Sequence, residues 1–356
     1  MRRTAALIAG AGPAGCAAAI VLARGGLAPL VVERSDGPRD VVCGGFLGWD
    51  ALAALAKLGI DASALGAHPI SRLRLVTAGG RFEAPLPHAA AGLSRRTLDS
   101  ALQAAAEAEG AELLRGRAIR AAEPELRRLR LEDGEELEGE ALLIATGKHE
   151  LRGTERGVDL ARAPLGLRAS FAGAADLQGF IELHLFDGGY SGALLQEDGT
   201  VNLCLSVSRS RLKDAGGIEL LLAELANELP ALGRRMKGGA LTPWSAIAGV
   251  PYGWRADGTV SYVYRVGDQA AVIASLAGDG VAIALHSGIA AGEALLAGQD
   301  AAIFQHAFSA RARRPLGVAE ALRRSAERRL PRTLLMPALR LFPGLAPAFA
   351  RLTRIG

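Results

Sequence analysis

Three glycines near the start of the chain have the spacing of a phosphate-binding turn. Gly10, Gly12 and Gly15 follow the apolar stretch AALIA, and an acidic residue, Glu33, lies further along. Such a turn lets the backbone approach a pyrophosphate, and the next helix presents free N–H groups and a partial positive charge to it. A carboxylate at Glu33 can accept hydrogen bonds from both ribose hydroxyls. The pattern predicts a site for FAD or NAD, dinucleotides whose adenosine lacks a 2′-phosphate.

The segment around these residues contains the elements that such a site needs. AALIAGAG predicts a buried strand that ends at a glycine, PAGCAAAIVLARGG a helix, and LAPLVVE a second strand that ends on Glu33. The alternative is an export signal, because two arginines, an apolar run and small residues also open the chain. A cleaved signal would leave the second strand and Glu33 without a role, so we expect a strand–helix–strand unit.

A second signal rich in glycine and acid lies about three-quarters of the way along the chain. The stretch YRVGDQAAVIASLAGDGVAIALHSG contains Gly267-Asp268, an apolar segment AAVIAS that predicts a strand, and Gly278-Asp279-Gly280 at the start of a helix. A helix N-terminus aimed at the pyrimidine edge of a reduced flavin would stabilise its negative charge. Taken alone, the stretch could equally be a turn before a core helix.

Together, the two signals resemble those of the flavoprotein group that contains aromatic hydroxylases and geranylgeranyl reductases. The resemblance extends to roughly residue 300 and implies FAD as the cofactor, with Asp268 bonding a ribityl hydroxyl. It also implies that Arg95, in an Arg-x-x-Leu-Asp sequence, lies near the cofactor. The expected cofactor-binding residues are Gly10, Gly12, Pro13, Ala14, Gly15, Glu33, Arg34, Cys43, Gly44, Arg95, Thr146, Gly147, Gly267, Asp268, Gly278, Asp279, Gly280 and Val281.

Cys43 is the candidate catalytic residue. It opens the sequence Cys43-Gly44-Gly45, which in the geranylgeranyl reductase branch lies near the isoalloxazine ring. A free cysteine flanked by glycines is as readily a packing residue, because unpaired cysteines are among the most buried residues in proteins.

The chain departs from the resembled group at two places. It has Ala145-Thr146-Gly147 where the group has Ala-Asp-Gly, a motif that the hydroxylases link to pyridine-nucleotide contacts. Tyr190 stands where the reductase branch has Tyr-x-Trp-x-Phe-Pro, without the tryptophan or the Phe-Pro. NAD(P)H remains the expected transient electron donor, but these motifs carry neither its site nor an isoprenoid specificity to this chain.

The predicted fold class is α/β: a Rossmann-like FAD-binding domain of the glutathione-reductase type, an inserted antiparallel β-sheet for the substrate, and a helical C-terminal tail. The hairpin ISRLRLVTAGGRFEAPLP and the alternating stretches after it predict the sheet, which we expect to cover the flavin. The expected ranges are 1–69, 88–164 and 256–315 for the FAD domain, 70–87 and 165–255 for the substrate domain, and 316–356 for the tail. The candidate substrate residues, each of which could instead pack in the core, are Tyr190, His184, Trp244, Tyr252 and Trp254.

The composition excludes several other classes of protein. Half of the 356 residues are apolar and 22% are charged, which excludes a disordered chain. The three cysteines, Cys16, Cys43 and Cys204, lie far apart and form no C-x-x-C pair, so we expect no disulfide framework, no metal site and a reducing, cytoplasmic compartment. No nucleic-acid partner is expected.

The last thirty residues are basic and apolar. After Glu327 the tail RRLPRTLLMPALRLFPGLAPAFARLTRIG has arginines among leucines, Met336 and phenylalanines, and no acidic residue. It could lie on an anionic membrane at the inner face, cap an apolar substrate tunnel, or pack on its own domain or a second copy. The first two alternatives imply a lipophilic substrate.

Three functions are compatible with these observations. The first is an NAD(P)H-dependent flavin monooxygenase that hydroxylates an apolar aromatic or polyketide-like molecule with O2. The second is a flavin-dependent reductase of carbon–carbon double bonds in an isoprenoid or other lipid, with Cys43 near the ring. The third is a flavoprotein without turnover, or one that transfers electrons to a partner.

Overall fold

The chain builds two β-sheets, and its helices cover them. The computed structural model describes residues 2–161 and 163–356. Its strands are β1 (Arg2–Ala9), β2 (Leu30–Val32), β3 (Phe46–Leu47), β4 (His68–Thr77), β5 (Gly80–Gly92), β6 (Glu112–Leu114), β7 (Ile119–Glu123), β8 (Arg128–Leu131), β9 (Glu136–Ile144), β10 (Leu165–Phe171), β11 (Gly179–Phe186), β12 (Gly189–Leu195), β13 (Val201–Val207), β14 (Ser245–Ile247) and β15 (Val263–Arg265). Its helices are α1 (Pro13–Arg24), α2 (Trp49–Lys57), α3 (Arg95–Ala108), α4 (Arg209–Ala215), α5 (Ile218–Glu228), α6 (Pro230–Arg235), α7 (Gly280–Leu296), α8 (Ala301–Glu327), α9 (Arg329–Leu341) and α10 (Leu345–Leu352).

The first sheet contains the N-terminal strand at its centre. Its order is β6-β2-β1-β9-β8-β7, and β15 also pairs with β9. Strand β1 runs parallel to β2 and β9, so that Ala9 lies opposite both Val32 and Ile144. Residues 2–9 therefore form a central strand in the parallel part of a mixed sheet, as the dinucleotide-binding interpretation requires, and are not a segment separate from the fold.

Small residues bring helices α1 and α7 into close contact on one face of this sheet. A Cβ at Gly288 of α7 would lie 2.2 Å from the carbonyl oxygen of Ala14, and one at Gly292 would lie 2.9 Å from Val21. No larger side chain fits at these two positions without a shift of the neighbouring helix. The contact joins the N-terminal signal to the second one.

The second sheet has the order β14-β10-β13-β12-β11-β4-β5-β3. Its pairs are antiparallel except for β4 and β11, which run parallel. The hairpin expected at 70–87 forms, but its strands extend to His68 and Gly92, and Phe46–Leu47 adds an edge strand. The sheet therefore extends past the predicted domain boundaries.

One predicted strand is absent from the described residues. AAVIAS, residues 270–275, makes only an isolated bridge from Ala271 to Arg255. The strand that leads into Gly267 is Val263–Arg265, which pairs with β9. Tyr264 of this strand is fully buried and donates its hydroxyl hydrogen to the carbonyl of Gln299 at 2.6 Å, while residues 270–274 of the expected strand are buried in the core outside the sheet.

Three helices form the C-terminal region, which confirms the predicted helical tail and completes the α/β fold with two sheets. The first, α8, is 27 residues long, and α9 and α10 return across the second sheet. No single described helix has the length and apolar composition of a membrane span; α9 and α10 meet that criterion only as a pair, and the pair is bent by 114°.

Candidate active site

A continuous cavity of about 850 Å³ lies between the two sheets and the tail. Its lining contains backbone from the carboxyl ends of β1, β2 and β9, where the chain turns into helices or loops. It also contains the loop at residues 43–45, the start of α7, the inner face of the second sheet and one face of the tail helices. In α/β sheets the carboxyl ends of parallel strands are the usual place for a ligand.

The first glycine turn has the conformation that its sequence predicted. Gly10 has φ +109°, and a Cβ there would lie 2.6 Å from the carbonyl oxygen of Ala145. A Cβ at Gly15 would lie 1.9 Å from the carbonyl oxygen of Gly10, so Gly15 serves the close packing of turn and helix and does not itself line the cavity. Gly12, Pro13 and Ala14 line the cavity, and the N-terminus of α1 has no side-chain cap.

Glu33 is held at the end of β2 by two backbone amides. Its carboxylate accepts hydrogen bonds from the N–H of Ala11 at 3.0 Å and of Ser35 at 2.9 Å. These bonds orient the acid toward the turn and leave lone pairs for ribose hydroxyls. Arg34 follows at the cavity rim, where its guanidinium donates to His149 Nε2 at 2.9 Å.

Arg95 brings a fixed positive charge to the glycine turn. Its guanidinium donates to the carboxylate of Asp99 at 2.9 and 2.7 Å, and its Nη2 lies 3.7 Å from where a Cβ would stand on Gly12. Burial alone would lower the pKa of Arg95, but the facing Asp99 raises it above its ordinary value. The arrangement places a permanent cation where a pyrophosphate would lie.

Asp268 lies in the cavity with a lysine partner. Lys148 Nζ is 3.4 Å from Asp268 Oδ2, and this carboxylate raises the pKa of the lysine. The neighbouring Gln269, fully buried, directs its amide nitrogen at Thr146 Oγ1 and at the carbonyls of Gly147 and His149, at 2.9–3.0 Å. Neither the ion pair of Lys148 with Asp268 nor the hydrogen bonds of Gln269 were predicted from the sequence, although Gln269 directly follows the predicted Gly-Asp pair.

The start of α7 opens onto the cavity as the second signal predicted. Gly278 has φ +72°, and Gly278, Gly280 and Val281 line the cavity. Asp279 points elsewhere: its carboxylate is fully buried and accepts hydrogen bonds from Arg354 at 2.6 Å and from the N–H of Ile355 at 3.1 Å. The prediction that Asp279 contacts the cofactor is therefore wrong for its side chain, which anchors the C-terminus.

The Cys43-Gly44-Gly45 loop lies against the second sheet. The carbonyl of Cys43 accepts a hydrogen bond from the Asn202 side chain at 3.0 Å, and the carbonyl of Gly45 accepts one from Leu93 N–H at 2.9 Å. Cys43 is a free, half-buried thiol, and Cys204 from β13 lines the same cavity. Burial raises the pKa of Cys204 to about 12, so this thiol is neutral at physiological pH.

Two tyrosines and a serine form a hydrogen-bonded cluster in the wall of the cavity, hereafter the hydroxyl cluster. Tyr190 Oη lies 2.5 Å and Tyr252 Oη 2.7 Å from Ser275 Oγ. The N–H of Leu276 donates to Tyr190 Oη at 3.0 Å. Burial raises the pKa of Tyr190 well above its ordinary value, so its phenol is neutral. Tyr190 and Tyr252 were both predicted; Ser275, within the expected strand, was not.

The part of the cavity between the second sheet and the tail helices, hereafter the chamber, has a wall that is otherwise apolar. One row crosses the second sheet through Leu75, Leu183, Gly192 and Cys204, which lie opposite one another on adjacent strands. A Cβ at Gly192 would lie 3.4 Å from the Leu183 side chain, so glycine here keeps the row open. The other apolar lining residues of the sheet and the tail are Leu73, Leu86, Ile181, Leu185, Leu276, Leu322, Leu335, Leu339, Ala346 and Phe349.

Three predicted substrate residues lie away from the cavity. His184 is on the opposite face of β11 from Leu183 and Leu185, because side chains alternate along a strand, and its Nε2 is 2.9 Å from the carboxylate of Glu182. Trp244 packs edge-on against Phe171 with ring centroids 5.9 Å apart. Trp254 receives the guanidinium of Arg156 over its ring at 5.6 Å. All three are packing residues.

The residues of the cavity fit FAD. The open turn at Gly12, the uncapped start of α1 and Arg95 would hold the pyrophosphate, while Glu33 would hold the adenosine ribose. Asp268 would meet the ribityl chain, and the uncapped start of α7 with the loop at 43–45 would meet the ring. The cavity is lined by residues of both glycine signals and continues along the apolar residues of the second sheet and the tail, where a substrate would lie beside the dinucleotide.

These features define a flavin-binding oxidoreductase. Residues 3–142 match the family model described as FAD binding domain. The chain therefore carries a domain that binds FAD, as the resemblance in its sequence indicated, and it is similar to FAD-dependent oxidoreductases.

Similar proteins agree with this class. The chain is 29% identical over 312 residues to "Menaquinone reductase" of Mycobacterium tuberculosis strain H37Rv, covering 81% of this chain and 76% of the relative. It is 26% identical over 318 residues to "Menaquinone reductase" of Mycolicibacterium smegmatis, covering 83% and 77%.

Solved structures share the fold. The flavin-dependent brominase Bmp2 superposes with a TM-score of 0.80 at 17% identity, covering 99% of this chain and 93% of that one. PqsL of Pseudomonas aeruginosa, described as a probable FAD-dependent monooxygenase, superposes with a TM-score of 0.73 at 20% identity, covering 93% and 98%. At these identities the likeness concerns the fold alone.

Proposed function

We propose that the protein is a FAD-dependent reductase that saturates a carbon–carbon double bond in a lipid with a long apolar chain, such as an isoprenoid quinone. The observation that carries the proposal is the leucine-lined chamber, which continues from the flavin site under the tail helices and has the hydroxyl cluster in its wall. Relatives named as menaquinone reductases support the same substrate class.

The proposed reaction needs a hydride and a proton. Bound FAD, once reduced by a two-electron donor such as NAD(P)H, supplies the hydride. One alkene carbon gains that hydride, the other gains a proton, and the π bond is lost, so the lipid gains two hydrogens and two electrons. The chain must therefore hold the alkene, exclude water and deliver the proton.

The hydroxyl cluster suits the delivery of this proton. Tyr190 is neutral, faces the chamber and has its oxygen held by Ser275 and by the N–H of Leu276, which would stabilise the phenolate left behind. Half-buried Tyr252 bonds the same serine and leads toward solvent, so it would return a proton to Tyr190 through Ser275. We assign Tyr190 as the proton donor in this scheme.

Cys43 is the competing donor. Its thiol lines the cavity in the loop next to Gly44 and Gly45, within the part assigned to the flavin ring. The variants Tyr190→Phe and Cys43→Ala separate the two assignments, with Cys204→Ala as a matched control because that thiol lines the same cavity. A loss of about 10²-fold or more in turnover is expected for Tyr190→Phe alone. Full turnover of Tyr190→Phe together with loss in Cys43→Ala would transfer the role to the cysteine.

Hydroxylation of an apolar aromatic molecule is the second candidate function. It is favoured by the same enclosure, because a chamber that excludes water protects oxygen chemistry from side reactions, and the fold is compatible with it. In this case O2 would be consumed and the product would carry one of its oxygen atoms. An electron-transfer protein would turn over neither substrate class.

One experiment distinguishes these functions. FAD-loaded protein is incubated with menaquinone and NADH or NADPH, with and without O2, and the extracted lipid is examined by mass spectrometry and ultraviolet absorbance. We expect anaerobic formation of a product two hydrogens heavier whose quinone absorbance is intact. Loss of the quinone absorbance that returns in air would mean ring reduction, and an added oxygen that requires O2 would establish the monooxygenase; either result overturns the proposal.

A further inference from the structure

The tail exposes a row of large apolar side chains to solvent. Leu330, Leu334 and Leu341 of α9 are 79%, 72% and 72% exposed, and the following Phe342 is 58% exposed. Their spacing of four and seven residues places the leucines on one face of the helix. Exposed apolar residues scattered singly need no explanation, but three leucines on one face of α9, followed directly by an exposed phenylalanine, indicate a contact surface.

Unpaired arginines surround this row. Arg328, Arg329, Arg340 and Arg351 are exposed, and in the described part of the chain none of them has a carboxylate within salt-bridge distance. The buried arginines of the same tail are different. Arg332 is paired with Asp187 at 2.7 Å, and Arg354 with Asp279 at 2.6 Å. Arg340 donates one hydrogen bond to the carbonyl of Arg81 at 3.4 Å, but no carboxylate of the described chain neutralises the positive charge of these four arginines.

The inner face of the same helices belongs to the chamber. Leu335 and Leu339 of α9 and Ala346 and Phe349 of α10 line the cavity. Helix α9 is thus a wall with the chamber on one side and the exposed leucines on the other. Because one face of α9 lines the chamber and the other carries the exposed leucines, α9 has the arrangement of a helix that lies along a surface.

We propose that this outer face docks on an anionic lipid bilayer. Leucine and phenylalanine side chains would enter the acyl boundary while the arginines contact acidic headgroups, which is the usual arrangement of an interfacial amphipathic helix. A second copy of the chain fits less well, because a twofold contact through this face would set its arginines against each other. Docking would place the chamber wall at the membrane, next to the proposed lipid substrate. A role of docking in lipid entry rests on the proposed function, but the docking itself does not.

Vesicle sedimentation with the full-length, FAD-loaded protein tests the docking. We expect the protein to sediment with vesicles of phosphatidylcholine and phosphatidylglycerol and not with phosphatidylcholine alone, and to be released by high salt. The double variant Leu334→Glu/Leu341→Glu should bind at least about tenfold more weakly. Leu220→Glu is the matched control, because Leu220 is also a helical leucine, 59% exposed, in the substrate domain.

A charge variant gives an independent measurement. Arg329→Gln/Arg340→Gln keeps every leucine and should lose the preference for anionic vesicles. Flavin absorbance and melting temperature establish that each variant is folded. Wild-type protein that remains in the supernatant with both vesicle types overturns the proposal. So does a dimer, seen by analytical ultracentrifugation without lipid, that the leucine variant dissociates; the face would then be a contact between copies.

Discussion

Arg354, two residues before the last, donates a hydrogen bond to the carboxylate of Asp279 at 2.6 Å, and Asp279 stands at the first turn of α7 beside the cofactor cavity. The same guanidinium donates to the carbonyl of Ala277 at 3.2 Å and lies 4.5 Å from the ring centroid of Trp49. The end of the chain is therefore attached to the loop that delivers Gly278 to the cavity. Arg354 therefore connects the tail, which forms the chamber wall, to the loop beside the flavin site.

Arg354→Met should destabilise the protein strongly. Above about pH 8, where Asp279 is ionised, the substitution leaves its fully buried carboxylate without its cation, and breaking a buried ion pair costs about 3–5 kcal/mol in the free energy of unfolding. Urea denaturation measures the difference. Arg351→Met is the control, because Arg351 is exposed on the same tail. Equal stability of the two variants would contradict the anchoring role.

The pH dependence of stability should contain a contribution from Asp279. Burial raises the pKa of this carboxyl from an ordinary 3.8 to about 8, although Arg354 opposes the shift. The folded state then binds more protons than the unfolded state between these values, so the contribution of Asp279 to stability falls as pH rises through this window and is constant above it. Asp279→Asn removes the titration. Denaturation curves from pH 5 to 9 should show a flatter profile for the variant, and parallel profiles would contradict the assignment.

The nucleotide-binding half of the site was readable from the sequence because backbone conformation dictates it. Gly10 adopts a left-handed φ, and Gly15 lies too close to the Gly10 carbonyl for a side chain to fit. Both positions therefore require glycine, which can be recognised in the sequence. Glu33 follows β2 by a spacing that the strand–helix–strand unit fixes. Such local requirements make a short motif sufficient to predict the site.

The substrate-binding half of the site could not be predicted in this way, because contacts between distant segments form it. A short motif does not contain such contacts. Side-chain alternation along β11 decides whether His184 or Leu183 faces the chamber, and only the register with β4 and β12 settles which face is covered. Ser275 joins Tyr190 to Tyr252 although both tyrosines are remote in sequence. The tail was correctly predicted to be helical, but its anchoring by Arg354 to Asp279 joins residues 75 positions apart.

Gly12→Leu should abolish flavin binding while the fold persists. The nearest atom to a Cβ at this position is Arg95 Nη2 at 3.7 Å, so the side chain has space in the protein but would occupy the place of the pyrophosphate. Flavin absorbance of the purified variant, with circular dichroism as a measure of folding, gives the result. Gly317→Ala in α8 is the control, since nothing lies within 4 Å of a Cβ there. A yellow Gly12→Leu protein would contradict the assigned phosphate site.

Glu182→Gln should destabilise the fold without affecting the chamber. Glu182 is buried on the outer face of the second sheet, accepting hydrogen bonds from Arg74 at 2.9 Å and from Arg235 at 2.8 Å. Although burial alone would raise its pKa, these bonds and the contact with His184 hold the pKa of Glu182 below its ordinary 4.5. The wild type gains stability from this group above that pH and loses it as the pH falls, a loss that the variant should not show.

Variants of Glu182 and of the neighbouring His184 also test whether His184 belongs to the substrate site. At pH 7, Glu182→Gln removes the carboxylate that Arg74 and Arg235 share, but Arg74 keeps Glu83 and Arg235 keeps Asp176, so the variant should cost about 1–3 kcal/mol in the free energy of unfolding. His184→Ala should lower stability and leave the KM for the lipid unchanged, because its side chain faces Glu182 and not the chamber. Urea denaturation and steady-state kinetics on the same preparations provide both measurements. A stable His184→Ala protein with a raised KM would return this histidine to the substrate site.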